Sequence, residues 1–215
     1  ARSTGWAGKL GAVYKPNASV MIGASYQLKS ALKDMKTGAS GASMSAAGGF
    51  SDTGRITVVD FQWPSTVAVG ASWQATPTLL LAADVKRIAW SDVMKNFRLR
   101  YDSARMGGSG SFALPQNWAD QTVTSLGLAY AVNNELTLRA GVNVADNPIP
   151  AALVNPLFPA TVEKHYTFGA GYKVSPAGEI NGSVALAPTS TVTNGMGVVV
   201  THKQTNVQLM YTHRF

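Results

Sequence analysis

Apolar and polar residues alternate along successive short segments through almost the whole chain. In the last segment, "TNVQLMYTHRF", Val207, Leu209 and Tyr211 share one parity, whereas Gln208 and Thr212 share the other. Because side chains in a β-strand point alternately to its two faces, each segment is predicted to be a strand with one apolar face. We count about nine such segments, which predicts an all-β, antiparallel fold.

The connections between these segments alternate in length. All tight turns lie at one end of the predicted strands, and all long connections lie at the other. Outer-membrane barrels have this asymmetry, whereas the Greek-key connections of soluble sandwiches mix both lengths at both ends. The pattern therefore favours a transmembrane antiparallel β-barrel. The tight turns are "KPN", "ATPT", "VNN" and "SPAG", and the long connections cover roughly residues 31–54, 92–117, 147–162 and 189–203.

Composition and the two strand faces agree with a barrel in a membrane. Charged residues make up only 13% of the chain, and no apolar stretch reaches roughly 18 residues, the length of a membrane helix. In "ELTLRAGVNV" an unbroken apolar face lies opposite Arg139 and Asn143. Aromatic residues gather near strand ends, as in the interfacial girdles of barrels. The charges on the polar faces are predicted to line the lumen and to pair there: Asp84, Lys86, Arg139, Lys173 and Arg214.

Other functional classes find little support in the sequence. The formal net charge is +7, but Lys and Arg are scattered singly outside any recognisable binding module, so no nucleic-acid partner is expected. The chain has no Cys, its three His lack metal-ligand spacing, and it has neither a GxSxG elbow nor a P-loop. We therefore expect no catalytic residue, metal or cofactor. A barrel hydrolase that uses His202 with a loop serine is a remote alternative.

Several motifs follow one another over essentially the whole chain: "GKLGAVYKPNASVMIGASYQLK", "FQWPSTVAVGASWQATPTLLLAADVKRIAW", "LRAGVNVADNPIPA" and the terminal Phe215. In this order they resemble the motifs of FadL-type outer-membrane transporters. The resemblance implies a barrel of about fourteen strands, plugged by a small N-terminal hatch, that takes up long-chain fatty acids or other hydrophobic compounds. Residues 1–215 match about nine C-terminal strands of a single barrel domain. The hatch and early strands are expected to belong to a missing N-terminal half of the same barrel.

Two long connections carry the predicted ligand-binding residues. "VMKNFRLRYDSARMGGSGSFALP" and "DNPIPAALVNPLFPATVEK" hold many apolar side chains at the predicted extracellular end, where an exposed apolar patch marks a binding surface. The alternative is that these loops pack on their neighbours, with their basic residues facing lipopolysaccharide phosphates. The predicted binding residues are Phe97, Arg98, Arg100, Phe112, Leu114, Ile149, Leu153, Leu157 and Phe158.

The nature of the ligand depends on where the cations lie. A guanidinium beside an apolar surface suits an amphipathic carboxylate, which favours a fatty acid near Arg98 and Arg100. However, "FALPQNWAD" has no Lys or Arg where the family tends to place a basic residue, before the strand beginning at Trp118. This departure leaves room for an uncharged ligand such as an aromatic hydrocarbon.

The predicted function is passive uptake of hydrophobic small molecules, either long-chain fatty acids or aromatic hydrocarbons, through a channel in the bacterial outer membrane, without enzymatic activity. A general porin or a structural barrel is the main alternative. Predicted partners are the hydrophobic ligand, membrane lipid with lipopolysaccharide, and the barrel-assembly machinery. Tyr211 and Phe215 resemble the terminal aromatic signal by which that machinery recognises outer-membrane barrels.

Overall fold

The computed structural model describes residues 1–46, 50–156 and 158–214. Two short 3₁₀ turns, Trp90–Asp92 and Ala151–Leu153, interrupt an otherwise β structure in these residues. No helix in this part of the chain is long and apolar enough to cross a membrane. The strands are β1 (Gly5–Trp6), β2 (Lys9–Tyr14), β3 (Val20–Gln27), β4 (Ala31–Leu32), β5 (Met35–Lys36), β6 (Ala42–Ala46), β7 (Phe50–Val59), β8 (Thr66–Thr76), β9 (Leu79–Ile88), β10 (Asn96–Ser103), β11 (Ser109–Pro115), β12 (Gln121–Ala131), β13 (Leu136–Ala145), β14 (Lys164–Lys173), β15 (Gly178–Thr193) and β16 (Val199–His213).

The largest sheet has nine strands, in the order β2-β3-β8-β9-β12-β13-β14-β15-β16. Strands joined by the predicted tight turns pair with each other antiparallel, as β2 does with β3 and β12 with β13. The strand number and the antiparallel pairing are therefore as predicted. β2 and β16 form the two edges, so among the described residues this nine-stranded sheet does not close on itself.

One face of the nine-stranded sheet, here called the outer face, is apolar. Register aligns Leu126, Val142 and Tyr166 in one row across three neighbouring strands. The face is exposed as well as apolar, since Val207 and Leu209 are 79% and 78% exposed. A contiguous apolar surface of this kind is rare on a soluble protein and is the normal exterior of a strand wall in lipid.

The opposite face, here called the lumenal face, carries small and polar residues. Gly70, Asp84, Ser125 and Asn143 form one row across four strands. Polar and small side chains suit a lumen that contains water or packed protein. The nine-stranded sheet thus has the polarity of an outer-membrane wall, with its apolar side turned outward.

Two of the long connections form a second sheet where loops were predicted. β5, β7, β10 and β11 pair in that order, and β6 pairs with the other end of β7. The prediction of loops at roughly 31–54 and 92–117 was wrong for these strands. Gly and Ser in "GASGASMSA" and "GGSGS" resemble loop sequence, but backbone pairing across a sheet does not require apolar side chains.

This five-stranded sheet continues the wall formed by the nine-stranded sheet. β5, β7, β10 and β11 follow the same lateral order as β3, β8, β9 and β12, the strands to which they are connected. Backbone hydrogen bonds also join neighbouring connecting segments at the junction: the Ala89 N–H donates to Ser65 O at 3.0 Å, and the Trp118 N–H donates to Met94 O at 3.1 Å. The junction is therefore a bend in one wall.

The predicted loop at 189–203 is also largely strand. β15 and β16 remain paired up to Thr193 and Val199, which leaves residues 194–198 as the turn, with an irregularity between Ala187 and Ser190. The segment "TSTVT" has little apolar alternation, because beyond the membrane neither strand face needs to be apolar. This hairpin rises past the long-connection end of the wall.

Candidate functional site

Six aromatic side chains form a chain of ring contacts at the junction of the two sheets. Ring centroids lie 4.9 Å apart for Phe97 and Phe158 and 5.1 Å apart for Trp90 and Trp118, with steeply inclined planes. Such edge-to-face pairs are stabilising beyond their buried area. The contacts link two groups of rings through Trp63, 6.1 Å from Trp90. We call the set the aromatic cluster: Phe61, Trp63, Trp90, Phe97, Trp118 and Phe158.

The bend in the wall positions the tryptophans of the aromatic cluster. Trp63, Trp90 and Trp118 each lie in a segment that connects a strand of the nine-stranded sheet to a strand of the five-stranded sheet. Two indole groups, the buried one of Trp118 and the partly buried one of Trp90, find acceptors there: Trp90 Nε1 donates to Gln121 Oε1 at 3.3 Å and Trp118 Nε1 to Gln116 Oε1 at 3.2 Å. Their orientation is fixed because a buried N–H needs an acceptor.

An apolar core lies beneath the aromatic cluster. Its buried members are Met94, Trp118, Ile149, Val154 and Val200, against which Phe158 and other partly buried side chains pack. The connection at 147–162 therefore packs on the wall, as the alternative reading of its apolar residues expected. Ile149 is only 5% exposed and lies inside this core. Leu153 is partly exposed, and Leu157 lies outside the described residues.

The β15–β16 hairpin holds this connection in place. Ser190 Oγ donates to Thr161 O at 2.9 Å, and the His202 Nδ1–H donates to Pro159 O at 2.5 Å, because a carbonyl oxygen can only accept a hydrogen bond. Asn194 Nδ2 donates to Val154 O at 3.1 Å. Thus His202 and the serine opposite it bind backbone carbonyls, an arrangement that fixes a loop.

The five-stranded sheet has one face turned to the lumenal side. The Phe97 ring contacts the Phe158 ring. The loop that carries Phe158 is hydrogen-bonded to the side chains of Ser190 and His202. Ser190 and His202 are register partners, and His202 points to the same side as the lumenal residues of β16. Phe97 lies on the same face as Leu99, Phe112 and Leu114, because it pairs with Leu114 and Leu99 pairs with Phe112. The lumenal side of the five-stranded sheet is therefore apolar, and Phe112 on it is exposed.

The two predicted binding arginines lie on the other face of the same sheet. Arg98 and Arg100 alternate with Phe97 and Leu99 along β10, so they point outward. Arg98 pairs with Asp60 at 2.5 Å and Arg100 with Asp102 at 2.7 Å. The structure therefore separates the arginines from the apolar surface with which the sequence reading had combined them.

The predicted lumenal charges lie on the lumenal face of the nine-stranded sheet or at its tight-turn end. Arg139 Nη1 donates to Asn181 Oδ1 at 2.9 Å, and Arg139 Nη2 lies 3.8 Å from Glu179 Oε1. Lys173 is the register partner of Glu179, and Arg214 lines a small cavity with both. Within the part of the chain that the structure describes, Asp84 and Lys86 have no ion pair.

Gly171 makes room for the Arg139 network. A Cβ atom at this position would lie 2.6 Å from Asn181 Oδ1 and 2.7 Å from Arg139 Nη1, closer than such atoms approach each other. The absent side chain leaves space for the Arg139 guanidinium beside Asn181 and Glu179. The lumenal face above it stays open: a groove of about 680 Å³ runs past Gly127, Gly141 and Ser125.

Sequence reasoning missed the aromatic cluster as a unit. Phe97 and Phe158 were predicted as binding residues, but Phe61, Trp63 and Trp118 were not. A signal was present, because "AWSD" and "QNWAD" each place a tryptophan where a predicted strand meets a long connection, and "FQWPS" places one beside a proline within a predicted strand segment. Taken singly, each tryptophan resembles an ordinary interfacial aromatic residue. Their ring contacts form only in the folded wall.

Comparison with known proteins gives consistent matches. The family model described as "Outer membrane protein transport protein (OMPP1/FadL/TodX)" matches residues 1–210. The toluene transporter TodX of Pseudomonas putida is 31% identical, with a TM-score of 0.84 over 99% of this chain and 50% of TodX. The toluene transporter TbuX of Ralstonia pickettii is 29% identical, with a TM-score of 0.80 over 98% of this chain and 48% of TbuX.

A third solved structure, the monoaromatic hydrocarbon channel CymD, is 26% identical, with a TM-score of 0.75 over 98% of this chain and 51% of CymD. The chain thus spans about half the length of these relatives. A comparison with curated proteins gives no match. The resemblance read from the motifs and the transmembrane β-barrel fold are both confirmed.

Proposed function

The chain belongs to the outer membrane protein transport family of FadL and TodX, and from this premise we propose that it forms part of a channel for passive uptake of uncharged monoaromatic hydrocarbons. The observation that carries the proposal is the aromatic cluster, which lies on the lumenal side of the wall at its long-connection end. Relatives named as toluene transporters or monoaromatic hydrocarbon channels favour the same ligand class.

Charge placement favours a hydrocarbon over a fatty acid. A carboxylate that leaves water for an apolar surface needs a cation or hydrogen-bond donors beside it. Arg98 and Arg100 lie on the outward face of β10 and are ion-paired, whereas Phe97, Phe112 and Leu114 lie on the lumenal face. An uncharged aromatic ring needs only apolar and edge-to-face contacts, which the cluster offers.

We propose a simple order of events along the wall. A hydrocarbon first leaves water for the exposed side chains of Phe112 and of Trp63, which belongs to the aromatic cluster. It then moves along the small side chains of the lumenal groove, where Gly127 and Gly141 leave space. Only a concentration gradient drives this movement, so the channel is diffusive.

The open edges of the nine-stranded sheet need further strands. Unpaired backbone groups in lipid cost several kcal/mol each, so the edges β2 and β16 are proposed to pair with other strands of the same barrel. We also propose that the barrel-assembly machinery recognises the end of β16. Tyr211 there is exposed and stacks on His213, while Phe215 lies outside the described residues.

Uptake of labelled toluene and labelled oleate by cells that lack the protein, and then regain it, tests this function. Toluene uptake is expected to depend on the protein and to fall in the double variant Phe97→Ala/Phe158→Ala. Phe168→Ala, which removes an exposed aromatic ring from the outer face, is the matched control and should keep normal uptake.

Three outcomes would contradict the proposal. Equal toluene uptake with and without the protein, together with high ion conductance in planar bilayers, would favour a general porin. Protein-dependent uptake of oleate but not of toluene would move the ligand class to fatty acids. Ester hydrolysis abolished by His202→Ala would instead establish the hydrolase alternative.

A further inference from the structure

The outward face of the five-stranded sheet is polar and rich in cations. Lys36, Thr57, Arg100 and Ser111 form one row across its four strands. Arg55 lies in the next row, opposite Asp102. This face continues the exterior of the membrane wall, because the two sheets follow the same lateral order.

These residues enclose a small cavity. It has a volume of about 370 Å³ and contains three cationic side chains, Lys36, Arg55 and Arg100, against two carboxylates. Thr57 at its floor is only 4% exposed. The cavity is lined by Asp34, Lys36, Arg55, Thr57, Val59, Arg100, Asp102 and Ser111.

The charged side chains that line the cavity, three cations and two carboxylates, sum to a formal charge of +1. Asp102 pairs with Arg100 at 2.7 Å, and Asp34 Oδ1 accepts a hydrogen bond from the Asp60 N–H at 3.0 Å. Lys36 and Arg55 have no ion pair among the described residues. Arg55 Nε is buried and has no hydrogen-bond partner. A buried guanidinium donor without an acceptor is costly, so the cavity is suited to an anion.

The exterior of the nine-stranded sheet also carries cations. They lie at the long-connection end of its apolar outer-face residues, between these residues and the five-stranded sheet. On β9 the outward residues Leu79 to Val85 are followed by Arg87, which pairs with Asp120 at 3.1 Å. On β14 and β16 the outward apolar residues are preceded by Lys164 and Lys203, both exposed. We call Arg87, Lys164 and Lys203 the basic collar.

An anionic lipid with a large head group matches this arrangement. The basic collar lies where acyl chains end, and the cavity lies farther out on the same exterior. Lipopolysaccharide of the outer leaflet carries phosphates on its lipid head and on its saccharide core, and phosphate is the anion that Arg recognises through paired hydrogen bonds.

We propose that Lys36, Arg55 and Arg100 form a binding site for a phosphate group of the lipopolysaccharide core, with the basic collar binding the phosphates nearer the acyl chains. The site holds the five-stranded sheet upright in the saccharide layer and keeps its apolar lumenal face turned to the channel. The inference rests on the outer-membrane placement of the proposed function and is independent of the hydrocarbon that the channel carries.

Binding of lipopolysaccharide to the detergent-purified outer-membrane protein that carries this chain tests the site. The double variant Lys36→Gln/Arg55→Gln is expected to bind phosphorylated lipopolysaccharide at least about tenfold more weakly than the parent protein, as two charge-assisted contacts are lost. The matched control, Lys9→Gln/Lys15→Gln, removes the same formal charge away from the site and should bind normally. Arg55→Lys keeps the positive charge but removes the paired N–H donors of the guanidinium, so this variant should bind lipopolysaccharide with intermediate affinity.

Phosphatase-treated lipopolysaccharide is the second arm, and it should bind the parent and the double variant equally weakly. Equal affinity of both proteins for phosphorylated lipopolysaccharide would overturn the proposal. Competition by millimolar inorganic phosphate equal to that by lipopolysaccharide would assign the site to free phosphate instead. Binding that EDTA abolishes would assign it to a divalent cation held by Asp34 and Asp102.

Two further measurements separate this test from misfolding and from the transport proposal. The heat-modifiable mobility of the variant barrel in gels should match that of the parent. Toluene entry into liposomes free of lipopolysaccharide should be the same for both proteins. Loss of lipopolysaccharide binding with normal toluene entry supports the site, whereas a parent protein that carries no toluene leaves the binding result intact.

Discussion

The nine-stranded and five-stranded sheets belong to one wall but have opposite polarity. Below the junction the outer face is apolar, with Val207 and Leu209 largely exposed, and the lumenal face carries small and polar residues. Above it the outward face carries Arg98 and Arg100, and the lumenal face carries Phe97. The strands keep their lateral order across the change. The environment on each side of the wall therefore determines whether its side chains are apolar or polar. The antiparallel backbone pairing is the same in the two sheets.

The polarity changes at the aromatic cluster. Asp60 and Asn117, with φ of 52° and 45°, lie in two of the connecting segments and adopt the left-handed backbone that Asp and Asn tolerate best. The bend that they permit turns Trp90 and Trp118 toward each other. Above the junction, a hydrophobic molecule that approaches from outside thus meets Phe97, Leu99 and Phe112 on the lumenal side of the wall.

Removing the buried ring at the junction should have the largest effect. Trp118 is 8% exposed and touches both Trp90 and the apolar core, so Trp118→Ala is expected to destabilise the barrel by about 3–5 kcal/mol. Trp63→Ala is the matched control, because that ring is 53% exposed, and it should cost clearly less. Unfolding by guanidinium in detergent micelles measures the free energy of unfolding of both variants. An equal decrease for the two variants would contradict a core centred on Trp118.

Arginine scanning of the exterior should locate the polarity change. Ala140 lies mid-height on the outer face of β13, where an arginine in lipid costs about 2–4 kcal/mol. Ser109→Arg, on the outward face of β11 opposite Asp102, is expected to stay within about 0.5 kcal/mol. Folding into lipid vesicles in a urea series measures the two. A similar penalty at both positions would mean that the five-stranded sheet also lies in lipid.

The membrane wall was predictable from the sequence, but the sheet above it was not. Lipid forces one parity of every spanning strand to be apolar, so "ELTLRAGVNV" and "TNVQLMYTHRF" could be recognised as strands from their own residues. The register partners of β7 and β10 are 39 to 49 residues apart in sequence, from Val59 with Arg98 to Gly54 with Ser103, and nothing local encodes that pairing. The aromatic cluster was missed for the same reason, since its rings meet only after the wall has formed.

Glycine replacement compares the two faces of the nine-stranded sheet itself. Gly171→Ala places a methyl group among Arg139, Asn181 and Glu179 and is expected to cost about 1–3 kcal/mol through displacement of that network. Gly182→Ala lies on the outer face with nothing within 4 Å of the added atom. It should be neutral or slightly stabilising, because glycine is unfavourable within a strand. Thermal unfolding measures both, and a greater loss at Gly182 would contradict the assignment of faces.

Acid should loosen the five-stranded sheet before the membrane wall. Hydrogen bonding with Ser103 lowers the pKa of the Asp52 carboxyl most, burial opposes this shift, and the Tyr101 hydroxyl, 3.1 Å from Asp52 Oδ2, lowers the pKa further. A carboxyl whose folded pKa lies below its unfolded value of about 3.9 stabilises the fold above that pH. The stabilisation is lost as the pH falls through the folded pKa.

Hydrogen exchange, corrected for intrinsic rates, should therefore report weaker protection of β7 and β10 amides as the pH falls below about 4, with β13 and β14 unchanged. Asp52→Asn removes the titrating group and should make protection of β7 and β10 lower at neutral pH but independent of pH in this range. Parallel loss of protection in both sheets would mean that they unfold as one unit. Selective loss in β7 and β10 would make the five-stranded sheet a part of the wall that opens separately, held in place by its contacts with the aromatic cluster.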